Sequence, residues 1–281
     1  MRIAVIGSTG MFGFDLLRLL NAKGIKSRGF NRQTLDLEQS AESLAKVFDG
    51  FDAVVNAAAF TAVDKAETEI YEANTVNGIY AGLLAQASKI AGARFVHIST
   101  DYVFDGLSST PYTVDEVTNP QTAYGKSKAL GEQLVAESGA DYSILRTAWL
   151  YGATGRCFPR VMSELLMKNG NVRVVSDQFG QPTWTRDLAE LVFQVLKIDE
   201  LPRIVHAVSS GEASWADFAR EVAKSMGITE DAVDEISTAE YPTPAKRPAW
   251  SVLDNSSNVL TPIGNWRERW RVAAPEVLRG I

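Results

Sequence analysis

The sequence predicts an α/β protein: a Rossmann-type doubly wound parallel sheet with a smaller C-terminal lobe. Three observations carry that prediction. Short apolar runs of a few residues recur along most of the chain, segments of helical period separate nearly all of them, and the first run ends in the glycine cluster Gly7-Ser-Thr-Gly10-Met-Phe-Gly13. Short buried strands alternating with helices require right-handed crossovers, and these produce a parallel sheet covered on both faces.

Taken in order, residues 2–6 are a β-branched run, and Phe12, Leu16, Leu19 and Leu20 then recur at helix spacing. Ile25 to Phe30 is a second run that stops at Asn31-Arg32. A helical stretch around Ala41–Phe48 leads to the strand-like Ala53-Val54-Val55-Asn56. Phe95–Ile98, Tyr142–Leu145, Val172–Val175 and Ile204–Ala207 are further short apolar runs. After about Tyr151 the alternation gives way to mixed segments. Ser214-Trp-Ala-Asp217 reads as a capping box whose helix buries Trp215, Phe218, Val222 and Met226. The last forty residues are rich in proline and hold three of the six tryptophans, as in an irregular lobe. The expected division is a dinucleotide-binding domain over 1–150, completed by about 171–207, and a lobe formed by 151–170 and 208–281.

Composition narrows the classes of function. With 281 residues, 46% hydrophobic and 22% charged, the chain is ordinary globular material, not a disordered, collagen-like or coiled-coil one. The net charge of −6 comes without any basic stretch, so no nucleic-acid or polybasic membrane partner is expected. A lone Cys157 excludes an intramolecular disulfide and a cysteine zinc site, and two histidines, His97 and His206, make no histidine cage. The apolar start at Ile3–Ile6 is too short for a signal peptide or a membrane span, so the expected location is cytoplasmic.

The glycine cluster has the spacing G-x-x-G-x-x-G and joins the first strand to the first helix. Glycines permit the tight turn and let backbone N–H groups approach a pyrophosphate, whose charge the helix N-terminus favours. A site for NAD usually carries an acid at the end of the second strand, for the ribose 2′-hydroxyl. None lies between Arg28 and Gln33. Arg32 stands there beside Asn31, and a guanidinium suits a 2′-phosphate. NADPH is therefore the expected cofactor, with NADH left open and Asp36 on the adenine side.

Tyr124 and Lys128 lie at i and i+4 of a predicted helix, hence on one face. An ammonium near a phenol favours the phenolate, which suits a general acid that serves a ketone oxygen. Ser99-Thr100-Asp101 follows a strand, at the sheet edge where ligands bind in open α/β folds. Thr100 there can donate to a substrate carbonyl. Asn77, in a helical stretch, is open to a proton relay or to a structural role.

Together these residues resemble the extended short-chain dehydrogenase/reductase superfamily, and within it the dTDP-4-dehydrorhamnose reductase family. The resemblance runs over nearly the whole chain. Its most specific pieces are Asn56-Ala-Ala-Ala-Phe-Thr-Ala-Val-Asp-Lys-Ala-Glu67, Ser99-Thr-Asp-Tyr-Val-Phe-Asp-Gly106, Arg146-Thr-Ala-Trp-Leu-Tyr-Gly152, Asp177-Gln-Phe-Gly-Gln-Pro-Thr183 and Tyr241-Pro-Thr-Pro-Ala-Lys-Arg-Pro248.

The resemblance implies NADPH-dependent reduction of the C4 ketone of dTDP-4-dehydro-β-L-rhamnose. Tyr124 would protonate O4, Lys128 would bind the nicotinamide ribose, and Thr100 would hold the keto oxygen. Gly7, Thr9, Gly10, Met11, Phe12 and Gly13 would line the pyrophosphate site. Asp36 and Leu37 would flank the adenine, and Ala57, Ala58 and Ala59 the riboses. Thr61, Val63, Asp101, Tyr102 and Trp149 would face the sugar nucleotide, with Arg247 at its diphosphate.

Two departures qualify the match. Phe60 stands where a histidine or similar polar residue is usual. Some relatives bind Mg2+ at a dimer contact; Asp15 falls near the first ligand position, but Arg186 occupies the second stretch, with Asp187 and Glu190 close by. Metal dependence and a homodimer stay open.

Alternatives stay open as well. Dehydratases of the superfamily read Thr-Asp-Glu, whereas this chain reads Thr100-Asp101-Tyr102. An epimerase would retain NAD, against the reading of Arg32. A regulatory subunit of methionine adenosyltransferase resembles the same reductases and would make the chain a binding module. Reduction of another 4-keto-6-deoxy sugar nucleotide would use the same residues.

Overall fold

The computed structural model describes residues 1–200, 202–256 and 260–280. Strands β1 (Arg2–Ile6), β2 (Lys26–Phe30), β3 (Ala53–Asn56), β4 (Arg94–Thr100) and β5 (Tyr142–Thr147) enter the central sheet in turn. Four short strands follow outside it: β6 (Leu150–Tyr151), β7 (Val172–Val175), β8 (Phe179–Gly180) and β9 (Thr183–Trp184). The sheet is then completed by β10 (Ile204–His206), giving the order β2-β1-β3-β4-β5-β10 with every pair parallel.

The alternation of side chains along each strand divides the core in two. Ile3, Val5, Val55, Val96 and Leu145 face α1 (Met11–Ala22) and α8 (Thr185–Val195). Ala4, Ile6, Val54, Phe95 and Ile144 face α2 (Ala41–Phe48), α5 (Tyr80–Ile90) and Val135 of α6 (Ala123–Glu137). The predicted doubly wound sheet is present, with helices on both faces. Its order reverses at β1, between β2 on one side and β3 on the other, which opens a crevice at the carboxyl ends of β1 and β3.

Before α5 the chain runs through two short helices, α3 (Val63–Ala66) and α4 (Ile70–Asn74), and a π-helical turn over Thr75–Ile79. The stretch 171–207 divides between two neighbourhoods. β10 joins the sheet, whereas β7 pairs in parallel with β13 (Val233–Ile236). Arg173 alternates outward between the buried Val172 and Val174, so β7 offers one apolar face, to α9 (Trp215–Ser225) and its neighbours, rather than the two a sheet interior needs.

The lobe packs α7 (Phe158–Asn169), α9 and α10 (Trp266–Val277) around Tyr151, Phe218, Trp266 and Trp270. Short ladders tie it together: β6 to β9, β8 to β12 (Ala213–Ser214), and β11 (Ser209–Ser210) to β14 (Ile263–Asn265). The capping box opening α9 is formed, with Ser214 and Asp217 satisfying each other's backbone N–H. Phe218 and Val222 are buried as expected, while Met226 and Trp215 are only partly covered. No helix among the described residues is long and apolar enough to cross a membrane.

Candidate active site

The loop after β1 is held from beneath by Gly7 and Ser8, whose N–H groups both donate to the Phe30 carbonyl at the end of β2. Gly7 adopts φ 81° and lies so close to the β3 loop that a Cβ would come within 2.6 Å of Ala58 N. Gly13 is equally constrained, since its Cβ would stand 2.4 Å from the Gly7 carbonyl oxygen. Gly10 differs. A Cβ there would meet only the Gly7 oxygen at 3.4 Å, so the space in front of it is open. Gly10 is also the N-cap of α1 and supplies no side-chain cap, leaving first-turn N–H groups for an anion. Phe12 is core and the Met11 side chain packs toward the lobe, so what these two offer is backbone. Thr9 is exposed beside them.

At the end of β2, Asn31 builds a turn. Its N–H donates to Thr34 Oγ1 and its Oδ1 accepts from the Gln33 N–H, both at 2.9 Å. Arg32 projects from that turn, exposed and without an ion pair among the described residues. Asp36 is likewise exposed and shapes a second turn through the Glu38 N–H, with Leu37 half-buried next to it. The open cradle at Gly10 and the unengaged guanidinium fit a phosphorylated dinucleotide.

Ala57, Ala58 and Ala59 continue β3 as half-exposed backbone, fixed by bonds from Ala57 N–H to the Ile6 carbonyl and from Ala58 N–H to Asn56 Oδ1. Asn77, fully buried in the π-helical turn, accepts from the Phe60 N–H at 2.8 Å. It also donates to the Phe60 carbonyl at 3.1 Å and to Ser127 Oγ at 2.9 Å. Of the two readings left open for Asn77, the structure supports the structural one: it pins the β3 loop to α6. Gly131 permits the contact, because a Cβ there would be 2.2 Å from the Asn77 carbonyl oxygen.

Helix α6 is started by Thr122, which accepts from the Gly125 N–H, and by Glu67, which accepts from the Ala123 N–H at 2.9 Å. Tyr124 therefore sits in a fixed first turn, with Phe60 and Ala123 packed nearby and Tyr102 edge-on at 5.6 Å. Burial pushes its phenol up to about 12, against a hydrogen bond with Thr100 that favours the phenolate. The expected lowering by Lys128 is absent in this state, and the reason is geometric. Lys128 turns its Nζ away, to the Ile98 carbonyl at 2.6 Å and His97 Nε2 at 3.3 Å.

Thr100 Oγ1 donates to Asp101 Oδ1 at 2.8 Å and accepts from the Tyr102 N–H. Asp101 is buried, which raises its carboxyl to about 6 against hydrogen bonds from Ser251 and Thr100. Beneath these groups Glu132 takes a hydrogen bond from Ser99 and a two-pronged one from Arg146, with Nη2 to Oε2 at 2.7 Å. That buried pair ties α6 to β4 and β5.

On the lobe side, Arg247 pairs with Asp64 at 2.7 Å, and the same carboxylate accepts from the Ala245 N–H. Asp64 lies on α3 between exposed Thr61 and the rest of that helix, with Val63 half-buried, so the pair clasps the lobe to the β3 loop. Trp149 has φ 43°, the one positive φ outside glycine among the described residues, and its indole stacks on Trp215 at 3.5 Å. A cleft of about 220 Å³ runs between Tyr102, Gln121, Asp177, Lys246 and Arg247. Tyr102, on its wall, is edge-on to Tyr124.

The acidic residues near α1 do not fit a divalent cation. Asp15 accepts from Thr185 Oγ1 at 2.6 Å, and Arg18 and Arg186 both occupy Glu276, at 2.8 and 2.6 Å. Asp187 and Glu190 are paired with Arg269 and Lys23. Among the described residues no group of three metal-ligating side chains forms. Sequence reasoning assigned no role to Asn56, Asp64, Glu67, His97 or Glu132. The first three lie inside a motif already noticed, so their position was visible although their partners were not.

Comparison with known proteins gives a consistent picture. Residues 1–280 match the model of the RmlD substrate binding domain. The chain is 40% identical to a dTDP-4-dehydrorhamnose reductase of Burkholderia thailandensis, over 92% of this chain and 91% of that protein. It is also 40% identical to a probable dTDP-4,6-dihydroxy-2-methyloxan-3-one 4-ketoreductase of Streptomyces antibioticus, over 99% and 96%. The crystal structure of a dTDP-4-dehydrorhamnose reductase from Bacillus anthracis in complex with NADP superposes with TM-score 0.92 at 31% identity, covering 98% of this chain and 99% of that one.

Proposed function

The chain belongs to the RmlD substrate-binding-domain family, and from that premise we propose that it reduces the C4 ketone of dTDP-4-dehydro-β-L-rhamnose to dTDP-L-rhamnose with NADPH. The observation that carries the reading is the hydrogen-bonded meeting of Thr100 and Tyr124 at the carboxyl edge of the sheet, with Tyr102 of the lobe cleft edge-on to Tyr124.

Gly10 and the first-turn N–H groups of α1 would hold the cofactor's pyrophosphate, and Arg32 would meet its 2′-phosphate. When bound, NADPH supplies the hydride. Tyr124 is protonated across the neutral range, since burial lifts it to about 12, and so is loaded to donate a proton to O4. Thr100, whose one hydroxyl proton rests on Asp101 Oδ1, would turn that proton to O4 and share the negative charge that develops there. Lys128, whose Nζ rests on the Ile98 carbonyl, would turn from there to bind the nicotinamide ribose. Phe60, Tyr102 and the lobe exclude water around the ketone, which strengthens both hydrogen bonds. Asp64 and Arg247 close the lobe over this region, with Trp149 at the nucleotide end.

A second reading, reduction of a different dTDP-4-keto sugar, is favoured by one observation: the Streptomyces antibioticus ketoreductase is as similar as the dehydrorhamnose reductase. NADPH consumption with each of the two keto sugars, in separate assays, decides between them. Turnover confined to the rhamnose precursor supports the first reading, and turnover confined to the other sugar replaces it.

A further inference from the structure

Lys128 is 1% exposed, and the two contacts of its Nζ are both on β4, the Ile98 carbonyl and His97 Nε2. His97 is fully buried, and its other ring nitrogen, Nδ1, lies 3.2 Å from Asn56 Nδ2. The orientation of that amide is fixed by its other end, since the Ala58 N–H donates to Asn56 Oδ1 at 3.1 Å. The group facing His97 is therefore an NH2, which can only donate, so Nδ1 accepts. A neutral imidazole then carries its proton on Nε2, the nitrogen that faces Lys128.

This chain has one proton too many when Lys128 is charged. An ammonium offers three donors and no acceptor, so it cannot take a hydrogen bond from Nε2–H, whereas a neutral amine can. We propose that His97 is a positioning residue for Lys128: held by Asn56, it presents Nε2–H to the amine and makes the lysine a proton-exchanging group rather than a permanent cation. The surroundings agree. Asn56 and Ile144 flank His97 in register on β3 and β5, Phe95 stacks on it at 6.3 Å, and Gly131 of α6 leaves its Nε2 side open to Lys128. Lys128 is the charged group that bears on it, and burial holds the ring neutral. On Lys128 the opposing charge is Glu132, one turn along α6 and already engaged by Arg146 from β5. Burial outweighs it and brings the lysine down to about 8.

The inference rests on Lys128 serving the reduction proposed above, but its first test needs no substrate. With only two histidines, 15N-histidine NMR resolves both rings, and a His206→Gln variant assigns them. The expected result is a neutral Nε2–H tautomer for His97 from pH 7 to 9. An Nδ1–H tautomer or an imidazolium overturns the proposal. Absence of keto-sugar turnover with the Nε2–H tautomer present would instead refute the assigned function alone. The second test is His97→Leu, read in the pH profile of kcat/KM for NADPH, which reports the free enzyme. Removing Nε2–H should move the alkaline limb up by about one pH unit. A lower melting temperature with an unmoved limb would show that His97 is merely structural.

Discussion

Asn77 binds both main-chain polar groups of Phe60, accepting from its N–H at 2.8 Å and donating to its carbonyl at 3.1 Å. One side chain thus fixes the loop that carries Ala57–Ala59 and, through Ser127, joins it to the helix that carries Tyr124. The β3 loop and the first turns of α6 are positioned by the same amide. Asn77→Ala should cost about 2 kcal/mol of stability by leaving buried groups unpaired. It should also lower kcat about 10-fold, because a small misplacement of reacting groups is expensive. Denaturant unfolding and steady-state kinetics check this. Loss of stability with kcat unchanged would separate the loop from the chemistry.

Tyr124→Phe removes the proton donor and leaves the packing against Phe60 and Tyr102 intact. We expect kcat to fall about 100-fold or more, with NADPH affinity nearly unchanged. Cofactor fluorescence titration beside kinetics measures both. A near-normal kcat would remove Tyr124 from the mechanism.

Arg32 is exposed and has no ion pair among the described residues, so its replacement should leave the fold intact and read out binding. Arg32→Ala should weaken NADPH about 10-fold or more, the worth of a charge-assisted contact, and leave NADH unchanged. Equal losses for the two cofactors would contradict the 2′-phosphate assignment.

Asp101 makes stability depend on pH in a definite direction. Burial raises its folded value to about 6, against an ordinary carboxyl value of 3.8, so between these the native state binds the proton more tightly. Its favourable contribution is present below about pH 4 and is lost as pH rises through 6. Asp101→Asn should therefore gain on the wild type as pH rises from 4 to 7, by something on the order of 2 kcal/mol. Melting curves of both proteins across that range test the sign. A difference independent of pH would show that Asp101 is not perturbed.

Much of this site was legible in the sequence because its signals are local. The glycine spacing, the missing acid before Gln33 and the i, i+4 placement of Tyr124 and Lys128 each depend on a few neighbouring residues. What stayed hidden depends on partners far apart in the chain. Asn56 meets His97 across 41 residues, and Arg247 meets Asp64 across 183. The pairing of Val172–Val175 with β13 is equally remote: a short apolar run shows that a strand exists, not which sheet receives it. Helix spacing likewise brings Lys128 to the face of α6 that carries Tyr124 without showing that His97 and Ile98 engage its Nζ.

Incubating the protein with NADPH and enzymatically generated dTDP-4-dehydro-β-L-rhamnose, following NADPH consumption and identifying the product by NMR, tests the proposed reduction itself. Stoichiometric consumption with dTDP-L-rhamnose as the product is the expected result. Binding of NADPH without formation of that product would contradict it.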